Sequence, residues 1–362
     1  MQTPKIGFQS MKKGLFILED GAVWEGISRG ASGEFAGEAV FYTGVIGYQD
    51  LLTDPAYSGK IAVMTYPHIG NYGINREEFA SDRVWAKGII VKEVSRIYSN
   101  WQAYEGLVTF AKKNKMFILS GVDTQNITKH LRIHGSMRGM LADGRTSGKS
   151  LLAKLKLFRP SEKRVAEASC RKPYVWPIAS KAASPKVAVV DLGLNRESLK
   201  QLSALGCGIT VLPFNAKTSE ILSGNPDGIF LSSGPGDPAL LTATAGYLKD
   251  LIPEKPILGI GLGFQVLCLA LGGKSFRMKS GHYGLNQPVK NLAEGRCLST
   301  KQNHLFTIAA DSLGPDVTVT HLHLNDQTVE GITHKKLPLF GVQYCPDQAD
   351  PVFQQFLEKL NA

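Results

Sequence analysis

The sequence predicts a two-part α/β chain: a β-rich N-terminal domain followed by a doubly wound parallel-sheet domain. Three observations carry this. Apolar strand patterns crowd the first 150 residues, strand and helix patterns alternate from residue 186 onward, and the stretch between is basic and proline-bearing. The domains are therefore placed at 1–150 and 186–362, with a basic linker over 151–185 containing Pro160, Pro173 and Pro177. A length of 362 residues suits two domains that each bury a core.

In the first part, "GLFILEDGAVWEG" reads as two strands joined at Asp20-Gly21. "EAVFYTGVIGYQDLLTDPAYSGKIAVMTYPHIGNYGIN" reads as apolar strands broken by Gly, Pro and Asn loops, and "KGIIVKEV" as a buried strand. Tyr104, Leu107 and Phe110 have helical spacing, with Asn114 at the helix end. "MFILSGVDTQNITKHLRIHGSMRGMLADG" reads as strand, helix and strand, the helix capped by Thr124 or Asn126.

In the second part, "KVAVVDLG" is a strand, "RESLKQLSALG" a helix ended by Gly206, and "CGITVLPF" a strand. The helix "YLKDLI" and the strand "PILGI" follow. "ILGIGLGFQVLCLALGG" then makes a strand, a glycine turn and a helix, the shape of a nucleophile elbow with Gly261 at its apex. In a doubly wound sheet functional loops leave the carboxyl ends of the strands, where "GPGDP" and "GIGLG" both fall.

Composition narrows the function classes. The excess of 41 basic over 31 acidic residues comes without a nucleic-acid recognition motif, so it reads as a basic surface suited to an acidic partner or phosphorylated ligand. No apolar run approaches the ~18 residues of a membrane span, and the start has no signal-peptide pattern, so a cytoplasmic protein is expected. Cys170, Cys207, Cys268, Cys297 and Cys345 are odd in number and form no CxxC, which argues against disulfides and a zinc site. His68, His130, His134 and His282 lack metal-ligand spacing with carboxylates and read as loop or packing residues. Cys268, two helical turns past the elbow, reads as core. The full glycine fingerprint of a phosphate cradle is absent.

"LEDGAVWEG", "GYQDLLTDPAYSGKI", "TYPHIGNYGIN" and "GVDTQNITKHLRIHGSMRG", with "GHYGLNQPV", "QNH" and "TVEGITH" further on, resemble the small, glutamine-hydrolysing subunit of carbamoyl phosphate synthetase. The resemblance covers nearly the whole chain; the second half alone resembles a class I glutamine amidotransferase domain. It implies a chain that hydrolyses glutamine and passes ammonia to a large subunit. That subunit makes carbamoyl phosphate for pyrimidine and arginine synthesis. ATP, bicarbonate and metal are then expected only on the large subunit, with no cofactor in this chain.

The family's triad positions depart from its pattern. The nucleophile of "G-I-C-L-G" is replaced by Gly261, and the His and Glu of "Q-x-H-P-E" by Cys345 and Asp347. A thiol is a poor substitute for imidazole, having a higher pKa and one atom rather than a two-ended relay. Gly44 stands for a Ser, Leu305 for a Gly after "Q-N-H", and Phe264 for a His in "L-G-H-Q", a His to which no chemical role is assigned. Leu305 is expected to crowd the glutamine pocket.

Gly234 and Gly236 match the substrate and oxyanion loop, Leu262 the elbow's backbone donor, and Gln265, Asn303 and Phe306 glutamine-contacting positions. Loss of nucleophile and base together points to a non-catalytic small subunit that binds the large subunit and holds glutamine weakly. The alternatives are an active glutaminase with Cys345 as relocated nucleophile, and a stand-alone binding protein.

Overall fold

The computed structural model describes residues 12–144, 146–177 and 185–361. The chain divides into two compact units. One holds the chain up to Tyr42 with Gly59–Glu78 and Ala86–Pro160; the other holds Thr43–Ser58, Phe79–Trp85 and the chain from Ser161.

The first unit is a closed seven-stranded barrel, in the order Lys13–Leu18, Val23–Gly30, Phe117–Ser120, Gly88–Val91, Lys60–Met64, Glu34–Tyr42 and Met137–Asp143. Closure pairs every strand edge. The first two strands form the hairpin expected at Asp20-Gly21, where Gly21 takes φ +93° and Leu18 N–H donates to the Ala22 carbonyl at 3.0 Å. Phe16, Leu18, Ile61, Val63, Ile90, Phe117 and Leu141 fill the interior.

Three local details differ from the sequence reading. The helix expected from Tyr104 starts at Leu107, because Gly106 is its N-cap, and Tyr104 is exposed. The helix Thr124–His134 is capped by Asp123, whose side chain accepts from Asn126 N–H. Where only strands and loops were expected, Tyr48–Thr53 forms a buried single-turn helix.

The second unit is built on a ten-stranded mixed sheet. Its parallel centre runs Gly208–Pro213, Lys186–Asp191, Gly228–Leu231, Ile257–Ile260 and Leu339–Val342. Antiparallel strands Val329–His334, Val317–His323, Ser275–Asn291 and Cys297–Ile308 extend one side, and Tyr174–Val175 borders the other. Buried apolar clusters cover both faces, as a parallel sheet requires: Val190, Leu231, Val266 and Leu267 on one, Val189, Phe230, Leu258 and Phe356 on the other.

The stretch assigned to the linker carries the helices Gly148–Leu157 and Arg164–Ala168 and the strand Tyr174–Val175; residues 178–184 lie outside the described residues. Leu151 and Leu155 are fully buried, and Val165 joins the core of the second unit. No described helix is long and apolar enough to cross a membrane.

Candidate active site

All positions assigned to the glutaminase site fall in the second unit, Gly44 included, because Thr43–Ser58 folds with it. The elbow is formed as the sequence predicts. The strand Ile257–Ile260 ends at Gly261, which has φ +57° and ψ −115°, and the helix Leu262–Ala270 begins immediately. Gly261 N–H donates to the Val342 carbonyl at 3.0 Å. Ile260 and Val342 are paired in parallel strands, so the chain at Gly261 and the chain leading to Cys345 leave neighbouring strand ends.

Two glycines of the elbow are there for different reasons. A Cβ on Gly263 would lie 2.2 Å from the Leu231 carbonyl oxygen, a distance no side chain tolerates. A Cβ on Gly261 would lie 3.3 Å from Ser233 Cβ and 3.7 Å from the Gln343 oxygen, so there is nearly room for one. Only the backbone angle favours glycine at the apex. The helix itself is buried on all sides between sheet and neighbouring chain, with Phe264 fully buried among Cys268, Ile308, Val329 and Ile332. Burial pushes the Cys268 thiol far above its ordinary range, which leaves it inert.

The base position is occupied by a half-buried thiol. Cys345 N–H donates to the Lys301 carbonyl at 2.8 Å, and Sγ lies 4.0 Å from Asn303 Oδ1. Burial, with Asp54 and Asp50 nearby, pushes this thiol up to about 12 against the pull of Lys301. At neutral pH it is protonated and is neither base nor nucleophile. Asp347 Oδ1 accepts from the N–H groups of Ala349 and Asp350 at 2.9 and 3.1 Å, closing the turn that precedes the helix Val352–Leu360.

The retained substrate positions are bound to the protein. Gln265 Nε2 donates to the Phe306 carbonyl at 2.5 Å and to Gln343 Oε1 at 2.8 Å. Asn303 Nδ2 donates to Asp54 Oδ2 at 3.0 Å. Gly234 is required by contact, since its Cβ would lie 2.0 Å from the Leu192 carbonyl oxygen, whereas a Cβ on Gly236, at φ +108°, would meet only Val165 Cγ2 at 3.9 Å. Leu305 is 3% exposed, but it is not in the wall of the 1180 Å³ cavity that Ser233, Lys301, Cys345 and Asp347 help to line. Neither Gly261 nor Gln265 lines that cavity.

Beside Cys345 is an ion cluster that no sequence pattern announces. Lys301 Nζ pairs with Asp50 and lies 3.9 Å from Asp54 Oδ2. Asp54 is fully buried, accepting from Ala56 N–H at 2.9 Å and from Asn195 Nδ2 at 3.2 Å as well as from Asn303. Burial opposes the Lys301 charge, but Asp50 and Asp54 outweigh it and hold the ammonium above its ordinary range. Asp50 and Asp54 lie about 250 residues from their partner, so no local motif joins them.

A nucleophile elbow on a doubly wound sheet, with the base position at the next strand end, defines a class I glutamine amidotransferase domain, and a model of that family matches residues 188–358. The model of the carbamoyl-phosphate synthase small chain, CPSase domain, matches residues 16–141. The carbamoyl phosphate synthase small chain of Aquifex aeolicus is 43% identical over 93% of this chain and 94% of its own length. That of Caldanaerobacter subterraneus is 42% identical over 96% of both. The carbamoyl phosphate synthase pyrimidine-specific small chain of Lactiplantibacillus plantarum is 39% identical over 97% and 96%. This chain belongs to the carbamoyl phosphate synthase small-chain family.

Proposed function

We propose that this chain is a small subunit that does not hydrolyse glutamine and acts as the non-catalytic partner of a large, ATP-dependent subunit in carbamoyl phosphate synthesis. Supply of pyrimidine or arginine precursors is the corresponding role. One observation carries the reading: the elbow presents Gly261, which has no atom to attack an amide carbon. The protonated Cys345 thiol, and an Asp347 engaged by the N–H groups of its own turn, support it, because amide hydrolysis also needs a proton carrier beside the nucleophile. Gln265 and Asn303 spend their amides on protein partners, which supports weak glutamine binding. The match to the small-chain family through residues 16–141 supports retention of the partner role.

The test is copurification from the source cell, followed by two assays with and without the large subunit. Glutamate release from glutamine is expected at background, and the ammonia-dependent synthesis rate is expected to rise when this chain is added. Release well above background that disappears in Cys345→Ala would sink the non-catalytic reading in favour of a relocated nucleophile. No association at micromolar concentration, with unchanged large-subunit kinetics, would leave a stand-alone protein.

A single repair is expected to fail. Gly261→Cys places a thiol at the apex but supplies no imidazole, and triad members act as a unit. Glutamate release by this variant should stay at background; robust turnover from the one change would show a site otherwise intact.

A further inference from the structure

Four polar groups from three strands of the second unit converge with their lone pairs facing one another. His282 lies on the strand Ser275–Asn291, Gln302 and His304 on Cys297–Ile308, and Glu330 on Val329–His334. The protonation pattern follows from the outer partners. His282 Nε2 faces Asp326 Oδ2 at 2.9 Å, and a carboxylate only accepts, so Nε2 carries the hydrogen. His304 Nδ1 faces the Phe306 carbonyl at 2.8 Å, so Nδ1 carries the hydrogen there.

In each ring the other nitrogen points inward, and it is a lone pair wherever the ring is neutral. His282 Nδ1 lies 3.4 Å and His304 Nε2 3.7 Å from Glu330 Oε1. Gln302 donates through Nε2 to Glu330 Oε2 at 2.9 Å, which turns its own Oε1 to within 2.9 Å of His304 Nε2. Glu330 is fully buried, and among the described residues neither its Oε1 nor His282 Nδ1 has a hydrogen-bond partner. Acceptors this close, out of water, repel unless something positive lies between them.

We propose that His282, His304 and Glu330 form a binding site for one divalent transition-metal ion, zinc by its ligand set. The inward atoms lie within 4.8 Å of one another. Edges of 3.4 and 3.7 Å are close to the ~3.3 Å separation of ligand atoms around a tetrahedral ion bound at ~2.0–2.1 Å. Two imidazoles and a carboxylate suit zinc rather than magnesium or calcium, and Gln302 Oε1, a further oxygen donor, lies 2.9 Å from His304 Nε2. Asp326 and the Phe306 carbonyl supply the outer hydrogen bonds that fix ligand histidines. The sequence reading placed no metal in this chain because these ligands share no local spacing; strand pairing assembles them. The site is independent of glutamine hydrolysis and of the large subunit.

The experiment uses the full chain, stripped with a chelator and titrated at pH 7.5 with Zn²⁺ alone against a chromophoric competitor, then with Co²⁺. The expected result is about one equivalent bound, a visible Co²⁺ spectrum of a four-coordinate ion and a raised Tm with Zn²⁺. Glu330→Gln, isosteric and able to keep the bond to Gln302, and His304→Gln should each weaken binding at least ~100-fold and abolish the Tm rise. The half-buried control His68→Gln, outside the cluster, should change nothing. Absence of stoichiometric uptake by the unmodified chain would overturn the proposal and leave His282 neutralising Glu330 as a protonated imidazole. Equal uptake by Glu330→Gln would overturn it in favour of adventitious sites.

Discussion

Lys301→Met is expected to destabilise the second unit by about 3 kcal/mol at pH 7, the low end for breaking a buried ion pair because the Lys301 side chain is one-quarter exposed. Methionine nearly matches the stem, so the loss is electrostatic: Asp54 stays fully buried with its hydrogen bonds but without a cation. The variant should also acquire a pH dependence of known sign. Burial already raises the Asp54 pKa against the pull of Lys301; removing Lys301 raises it further, so the folded state binds more protons than the unfolded one and stability falls more steeply as pH rises. Urea unfolding at pH 5 and pH 8 checks this. A larger penalty at pH 5, or a loss under ~0.5 kcal/mol at pH 8, would mean that Lys301 leaves the cluster in solution.

The second large effect separates the two elbow glycines. Gly263→Ala drives a Cβ to 2.2 Å from the Leu231 carbonyl oxygen and 2.7 Å from Leu231 Cβ. Relief requires the helix Leu262–Ala270 to move off the strand Gly228–Leu231, both buried, at a cost of several kcal/mol, above the ~1–3 typical of overpacking because backbone is struck. Gly261→Ala meets its nearest neighbour at 3.3 Å and carries mainly the backbone penalty of ~1–3 kcal/mol. Thermal unfolding of both variants should show Gly263→Ala clearly the worse. Equal losses would mean that the apex, too, is held by contact.

The elbow shows what the sequence can convey. A strand, turn and helix in 17 consecutive residues are a local pattern, and Gly261, Leu262 and Gln265 stand where that pattern puts them. The doubly wound centre is legible for the same reason, since each strand-helix step is written in adjacent residues. Asp347 was legible as a carboxylate at the expected place, but its engagement with the N–H groups of Ala349 and Asp350 depends on local backbone geometry after Pro346.

The direction of Leu305 is not legible in the sequence, because it depends on strand register: Arg277 pairs with Phe306 and His282 with His304, with an irregularity between them. The ion cluster at Lys301 and the histidines at Glu330 were invisible for a deeper reason. Their members are 251 residues apart in one case and spread over three strands in the other. His282, which reads in sequence as a loop or packing residue, lies 3.8 Å ring to ring from His323 and faces two carboxylates.

The chain passes from one unit to the other five times, after residues 42, 58, 78, 85 and 160. This matters on the ribosome. Asp50 and Asp54 leave the exit tunnel early, yet the lysine that neutralises them is encoded 251 residues after Asp50. At roughly 5–20 residues per second the wait is about 13–50 s. The second unit thus completes only near the end of translation. A gene encoding residues 186–362 alone would make a sheet whose Lys301 has neither Asp50 nor Asp54 beside it.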